Sequence, residues 1–132
     1  MFFSPRDLAV FGQMCLNFGL YNNQRIVSED WFLEATTDFS EGVLYEQTHD
    51  PFFYTAGYGY QWWLDTIFGY SMFNANGYGG QFIFCIPELD LVVVTTAPTS
   101  IFVPYYNQHV YIFDVFKNRI VRAIEGVELS KR

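Results

Sequence analysis

The residues able to do chemistry are few in this chain, and most familiar arrangements of them are missing. Cys15 and Cys85 lie in apolar runs with no C-x-x-C, so they read as small buried hydrophobes, neither reactive thiols nor a disulfide framework. His49 and His109 stand apart in the sequence, which gives no support to a zinc site; surface or packing roles suit both. Asp65, Glu88 and Asp90 sit near turns, and no pair of carboxylates has a spacing that compels acid–base work. Two stretches remain. One is a glycine-rich run, Asn76-Gly77-Tyr78-Gly79-Gly80-Gln81, and the other is aromatic, Tyr58-Gly59-Tyr60-Gln61-Trp62-Trp63. Taken alone, the first is a hairpin turn that needs positive φ, which glycine supplies cheaply. The second is sheet packing, with one face available to line an apolar pocket.

Stepping along the chain gives the elements that must hold these stretches. Ser4-Pro5-Arg6-Asp7 is a helix start, with Ser4 as N-cap, Pro5 in the first turn and Asp7 closing a capping box. Leu8, Phe11, Cys15 and Leu16 follow at helical spacing, and Gly19 is the expected stop. Tyr21-Asn22-Asn23-Gln24 is a polar turn, and Ser28-Glu29-Asp30-Trp31 opens a shorter helix carrying Trp31, Phe32 and Ala35. Residues 38 to 56 show no stable period and read as a loop. From Gly57 the alternation of Tyr58, Tyr60, Trp62 and Leu64 predicts a strand. Further strands are expected at Gly69–Phe73, Gln81–Ile86 and Leu91–Thr96, with turns at Asn76–Gly80 and Pro87–Asp90. An amphipathic helix from about Tyr105 to Ala123 closes the chain, its inner face being Val110 or Tyr111, Phe113, Phe116, Ile120 and Val121. The fold class is α+β: a small antiparallel sheet packed with N-terminal and C-terminal helices.

Composition narrows the function further. The chain has 132 residues, 51% of them hydrophobic and 21% aromatic, which is a folded chain with a core to bury. The net charge is −7, and no Lys or Arg occurs between Arg25 and Lys117. A phosphate-tracking surface needs clustered cations, so nucleic acid is an unsuited partner. Five of the seven cations fall in the last sixteen residues, where a cationic helix end would answer the macrodipole. No apolar run reaches membrane-spanning length, and Met1-Phe2-Phe3-Ser4 is too short in apolar residues for a signal peptide. The compartment stays open.

Four segments carry a family resemblance. Ser4 to Gly12 reads S-P-R-D-L-A-V-F-G; Gln24 to Trp31 reads Q-R-I-V-S-E-D-W; Tyr58 to Trp63 is the aromatic stretch. The fourth is Gly77-Tyr78-Gly79-Gly80-Gln81 followed by Phe84, Ile86-Pro87-Glu88-Leu89-Asp90 and Val92-Val93-Val94. In this order, over about three quarters of the chain, they resemble serine hydrolases of the class C β-lactamase and penicillin-recognising group. The resemblance implies the sheet-containing C-terminal part of the β-lactamase/transpeptidase-like fold, so residues 1–132 are expected to be a partial domain.

It also implies a chemistry that this chain holds only in part. Such enzymes activate a serine with a lysine one helical turn later, S-x-x-K, because serine is a poor nucleophile until a base takes its proton. No S-x-x-K occurs here. Tyr21-Asn22-Asn23 and Tyr105-Tyr106-Asn107 satisfy the family's Tyr-x-Asn on paper but fall downstream of its place, and are chance matches. The family's Lys-Thr-Gly strand maps best onto Ala75-Asn76-Gly77, making the Tyr78 N–H the oxyanion donor; a second register, Tyr78-Gly79-Gly80, makes it Gln81. Substrate contacts are then expected from Asn76, Gly77, Gly79 and Gly80, with Tyr58 and Trp62 as an aromatic wall. Neither register has the lysine, and a substrate carboxylate would lose its charge-assisted anchor. An esterase or amide hydrolase is therefore expected ahead of a true β-lactamase, with no cofactor or metal. The expected partners are a small ester, amide or lactam and a missing N-terminal segment of the same domain, with a homo-oligomer as a further option. The alternative is a non-catalytic, aromatic-rich binding or interaction module.

Overall fold

A computed structural model describes residues 3–40, 57–98 and 105–129; the expected loop over 38–56 and His49 thus fall largely outside the described residues. Helix α1, Pro5–Leu16, starts as its sequence requires: the Ser4 hydroxyl accepts the Asp7 N–H, and the Asp7 carboxylate accepts the Ser4 N–H at 2.8 Å. These bonds satisfy end groups that the helix cannot pair within itself. The Ser4 hydroxyl also donates to the Asp7 carboxylate at 2.7 Å, and this bond, then that from the Ser4 N–H, holds the Asp7 carboxyl below its ordinary range. The helix gives way at Asn17, and Gly19 follows at φ +88°. An alanine there would place its Cβ 2.2 Å from the Val27 carbonyl oxygen, so only glycine fits.

The polar turn at Asn22-Asn23 is a two-residue hairpin between β1, Leu20–Tyr21, and β2, Gln24–Arg25. Both asparagines have positive φ, 48° and 61°, as a primed turn demands. Helix α2, Glu29–Ala35, is capped by the Ser28 hydroxyl, which accepts the Trp31 N–H, and it buries Phe32 and Ala35.

Among the described residues the main sheet has five antiparallel strands in sequential order: β3 Gly57–Tyr58, β4 Trp63–Ile67, β5 Tyr70–Gly77, β6 Gln81–Ile86 and β7 Leu91–Thr95. One expectation is corrected here. The aromatic stretch is a hairpin, with Tyr58 opposite Trp63 and Gly57 opposite Leu64. The chain reverses at Gly59–Trp62, where Gln61 sits at φ +67° and the Gly59 N–H donates to the Trp62 carbonyl. The reversal depends on α2: the Tyr60 N–H donates to the Ala35 carbonyl at 2.9 Å. Strand β5 also runs four residues beyond its expected end at Phe73, and β7 is half-buried along its length. A lone edge strand has one neighbour instead of two, which accounts for that exposure.

Alternation along the strands sorts side chains to two faces. Phe73, Ile83 and Cys85 face α1 and α2 with Cys15, Leu16, Phe32, Ala35 and Trp62. Met72, Phe82, Phe84 and Ile86 face the closing helices. Gly12 lets α1 approach closely, since a Cβ there would lie 2.7 Å from Val92. Both cysteines are fully buried, as expected; burial pushes the Cys15 thiol up to about 12 and raises Cys85 as well. On the second face Phe84 stacks on Phe116 at 3.9 Å between centroids. Burying one such ring contributes about 1.5–3 kcal/mol.

The C-terminal helix is interrupted. Helix α3, Tyr105–Val115, passes through a π-helical stretch, Phe116–Val121, into α4, Arg122–Leu129. The wider turn places Phe116 and Val121, five residues apart, on the same buried face beside Phe113. Ile120 is thereby left half-buried and Tyr111 is exposed. His109 is buried with its ring on Phe82 at 4.8 Å, a packing role. Of the C-terminal cations, Lys131 and Arg132 fall outside the described residues, and two others do not stand at a helix end. Arg122 and Lys117 lie over the Phe68 ring, at 4.6 and 5.7 Å, within the helical run. No described helix is long and apolar enough to cross a membrane.

Candidate active site

The last rung between β4 and β5 is Trp63 opposite Asn74, whereas β5 stays paired with β6 through Gly77 opposite Gln81. Residues Ala75, Asn76 and Gly77 therefore have a strand neighbour on one side, and among the described residues none on the other. That bare edge exists because β4 begins only at Trp63, the chain before it having turned away toward Ala35. The geometry thus follows from Gly59 and Gln61.

A cleft of about 400 Å³ lies against this edge, lined by Leu8, Tyr58, Gln61, Trp63, Ala75, Asn76, Gly77, Gln81, Phe82 and Ile83. No carboxylate, ammonium or guanidinium is among them. Tyr58 and Trp63 meet edge to face at 4.9 Å and form one wall. Tyr58 is held from behind: its N–H donates to the Asp38 carboxylate at 3.0 Å, which also accepts the Ser40 N–H and hydroxyl. The Ser40 bonds, then that from Tyr58, keep the Asp38 carboxyl below its ordinary range. The Asn74 amide donates to the Trp63 carbonyl at 3.4 Å, fixing the final rung.

Of the residues singled out in the sequence, the structure brings Tyr58, Asn76, Gly77 and Gln81 to this cleft. Tyr78 stands at the tip of the β5–β6 turn, 68% exposed. Gly79 and Gly80 complete that turn at φ +80° and +91° and do not line the cleft. Trp62 is not at the cleft: it is buried in the core, edge to face with Phe73 at 5.1 Å and stacked with Phe11. The hairpin gives Trp63 the place expected of Trp62, and adds Gln61 and Leu8. A shift of one residue in a strand reverses every side chain, so only knowledge of the turn at Gly59 would have chosen between the two tryptophans.

Among the described residues no cluster of three or more His, Cys, Asp or Glu side chains is arranged to hold a metal. Among the described residues the arrangement supplies main-chain groups at a strand edge and an uncharged, aromatic-walled space, with no activated nucleophile.

The sequence model described as Beta-lactamase matches residues 1–102. The chain belongs to the β-lactamase family. All four motif segments, α1 through β7, fall inside that match. A 6-aminohexanoate-dimer hydrolase of Paenarthrobacter ureafaciens is 31% identical over 93 residues, covering 69% of this chain and 23% of the relative. The matched part thus spans about a quarter of that relative's length. The β-lactamase family accounts for the α+β architecture and places the chain in a serine hydrolase lineage.

Proposed function

We propose that this chain is the oxyanion-side, C-terminal segment of a class C β-lactamase-related serine hydrolase acting on uncharged esters or amides. The observation that carries the reading is the bare edge of β5 at Ala75–Gly77 with an uncharged cleft beside it. In acyl transfer, negative charge develops on the former carbonyl oxygen, and a main-chain N–H already aimed at it stabilises the charge without reorganising. Tyr78 is the donor this reading favours. It lies just beyond the last rung, whereas Gln81 belongs to that rung and spends its side chain on the Ala97 carbonyl. Tyr58, Trp63 and Gln61 would flank the acyl group. With no cation in the lining, a carboxylate-bearing lactam lacks its anchor. The relative's name, hydrolase of a 6-aminohexanoate dimer, is in keeping with a hydrolase other than a β-lactamase.

The nucleophile must then come from an S-x-x-K segment outside this sequence. The isolated chain is expected to show negligible turnover of a p-nitrophenyl ester, with activity returning when an S-x-x-K-bearing N-terminal segment is supplied. Robust turnover by the purified chain alone, with a phosphonate probe labelling one of its own serines, would overturn the reading.

One observation favours a second reading, a binding module. Phe39 stacks on Tyr60 at 5.2 Å, Trp31 lies 6.5 Å from Tyr60, and all three are exposed. Loss of glycan binding in Trp31→Ala with an unchanged fold would support that role. Absence of binding on a glycan array would dismiss it.

A further inference from the structure

The Tyr78–Gly80 turn contains two consecutive glycines at positive φ, the residues with most backbone freedom to lose. Left to itself such a turn would be mobile, and a mobile donor gives up the advantage of a fixed one. The structure shows what holds it. The Thr95 hydroxyl donates to the Gly80 carbonyl at 2.9 Å, and the Gln81 side-chain amide donates to the Ala97 carbonyl. From α3, the tip of Ile112 sits 2.4 Å from where a Gly80 Cβ would be, and Gln108 donates to the Pro98 carbonyl at 3.4 Å. These contacts tie the turn to the end of β7, to Ala97 just beyond it and to α3.

We infer that Gln81 is a positioning residue: with Thr95 it clamps the Tyr78–Gly80 turn to the end of β7 and to Ala97 just beyond it, so this edge of the sheet sets the geometry of the cleft's tip. Gln81 lines the cleft but commits its amide donor to the Ala97 carbonyl, so it orders the turn without offering that donor to substrate. This inference rests on the proposed function for its catalytic consequence, though the clamp can be tested without it.

The test uses ¹⁵N relaxation of the full 132-residue chain and compares Gln81→Met and Gln81→Glu, which keep the size of the side chain but lose its donor. In the unaltered chain the Tyr78, Gly79 and Gly80 amides should have order parameters of about 0.85, falling below about 0.6 in both variants. Thr95→Val, isosteric and on an edge strand, should loosen the same amides if the glutamine variants fail to fold. In an enzyme completed with an S-x-x-K segment, Gln81→Met should lower kcat about tenfold and leave KM within about twofold, since the donor acts in the transition state. Order parameters that stay high in the Gln81 variants and in Thr95→Val overturn the clamp. A loosened turn with kcat unchanged overturns the positioning role. If the completed enzyme shows no turnover at all, the proposed function fails, and the order parameters still decide the clamp.

Discussion

Replacing Gly59 by alanine should destabilise the protein by about 2–4 kcal/mol, because this turn residue is buried against α2. A Cβ at Gly59 would lie 2.0 Å from the Ala35 carbonyl oxygen and 2.9 Å from that of Thr37. Both are backbone atoms, so no rotamer change relieves the contact. The β3–β4 hairpin must move away from α2, breaking the Tyr60 N–H bond to Ala35, at a net cost of about 1 kcal/mol. The overpacking itself costs about 1–3 kcal/mol. Gly69→Ala is the matched control: it also sits in a hairpin turn, at φ +91°, but nothing lies within 4 Å of its Cβ position. Its cost is the left-handed conformation alone, about 1–2 kcal/mol. Urea unfolding followed by tryptophan fluorescence measures both, with comparable m-values confirming a common mechanism. Should Gly59→Ala prove no more destabilising than Gly69→Ala, the dependence of the cleft wall on α2 is refuted.

Burial raises both thiols, Cys15 to about 12, so neither should react with iodoacetamide at pH 8 until the chain unfolds. The linkage follows the same sign. The unfolded thiols ionise near their ordinary 9.0 while the folded ones stay neutral, so stability is full below that pH and falls as pH rises through it. Asp38 has the opposite sign: its depressed carboxyl contributes stability above its ordinary 3.8, lost as pH falls below it. Asp38→Asn should flatten that acid limb in a pH series of unfolding midpoints, by a small amount because the group is exposed. Arg122→Ala should cost about 0.5–1 kcal/mol through its contact with Phe68, and Phe68→Ala should make the Arg122 substitution silent in a double-mutant cycle.

Legibility in the sequence followed how local the controlling physics was. The α1 start was readable because Ser4, Pro5 and Asp7 act within one turn, and the glycine turn after β5 because Gly79 and Gly80 announce positive φ. The aromatic hairpin was not readable. Its reversal uses Gln61 at positive φ and a carbonyl from α2, neither of which has a signature in Tyr-Gly-Tyr-Gln. The misassigned tryptophan followed directly: alternation through an unbroken strand puts Trp62 on the pocket side, and the hairpin gives that place to Trp63. The π-helical stretch was hidden for another reason. Phe113, Phe116, Ile120 and Val121 satisfy a regular helix and an interrupted one about equally, and contacts with Phe82 and Phe84 choose between them.

The bare edge at Ala75–Gly77 also bears on how such a cleft can change. What a strand offers along its edge is peptide, identical whatever side chains it carries. Substitution can therefore remodel the walls at Tyr58, Gln61 and Trp63, altering what fits, while the row of main-chain groups behind them persists. Under the proposed function, selectivity and the capacity to engage a carbonyl are written in separate parts of the chain, and one can drift without erasing the other.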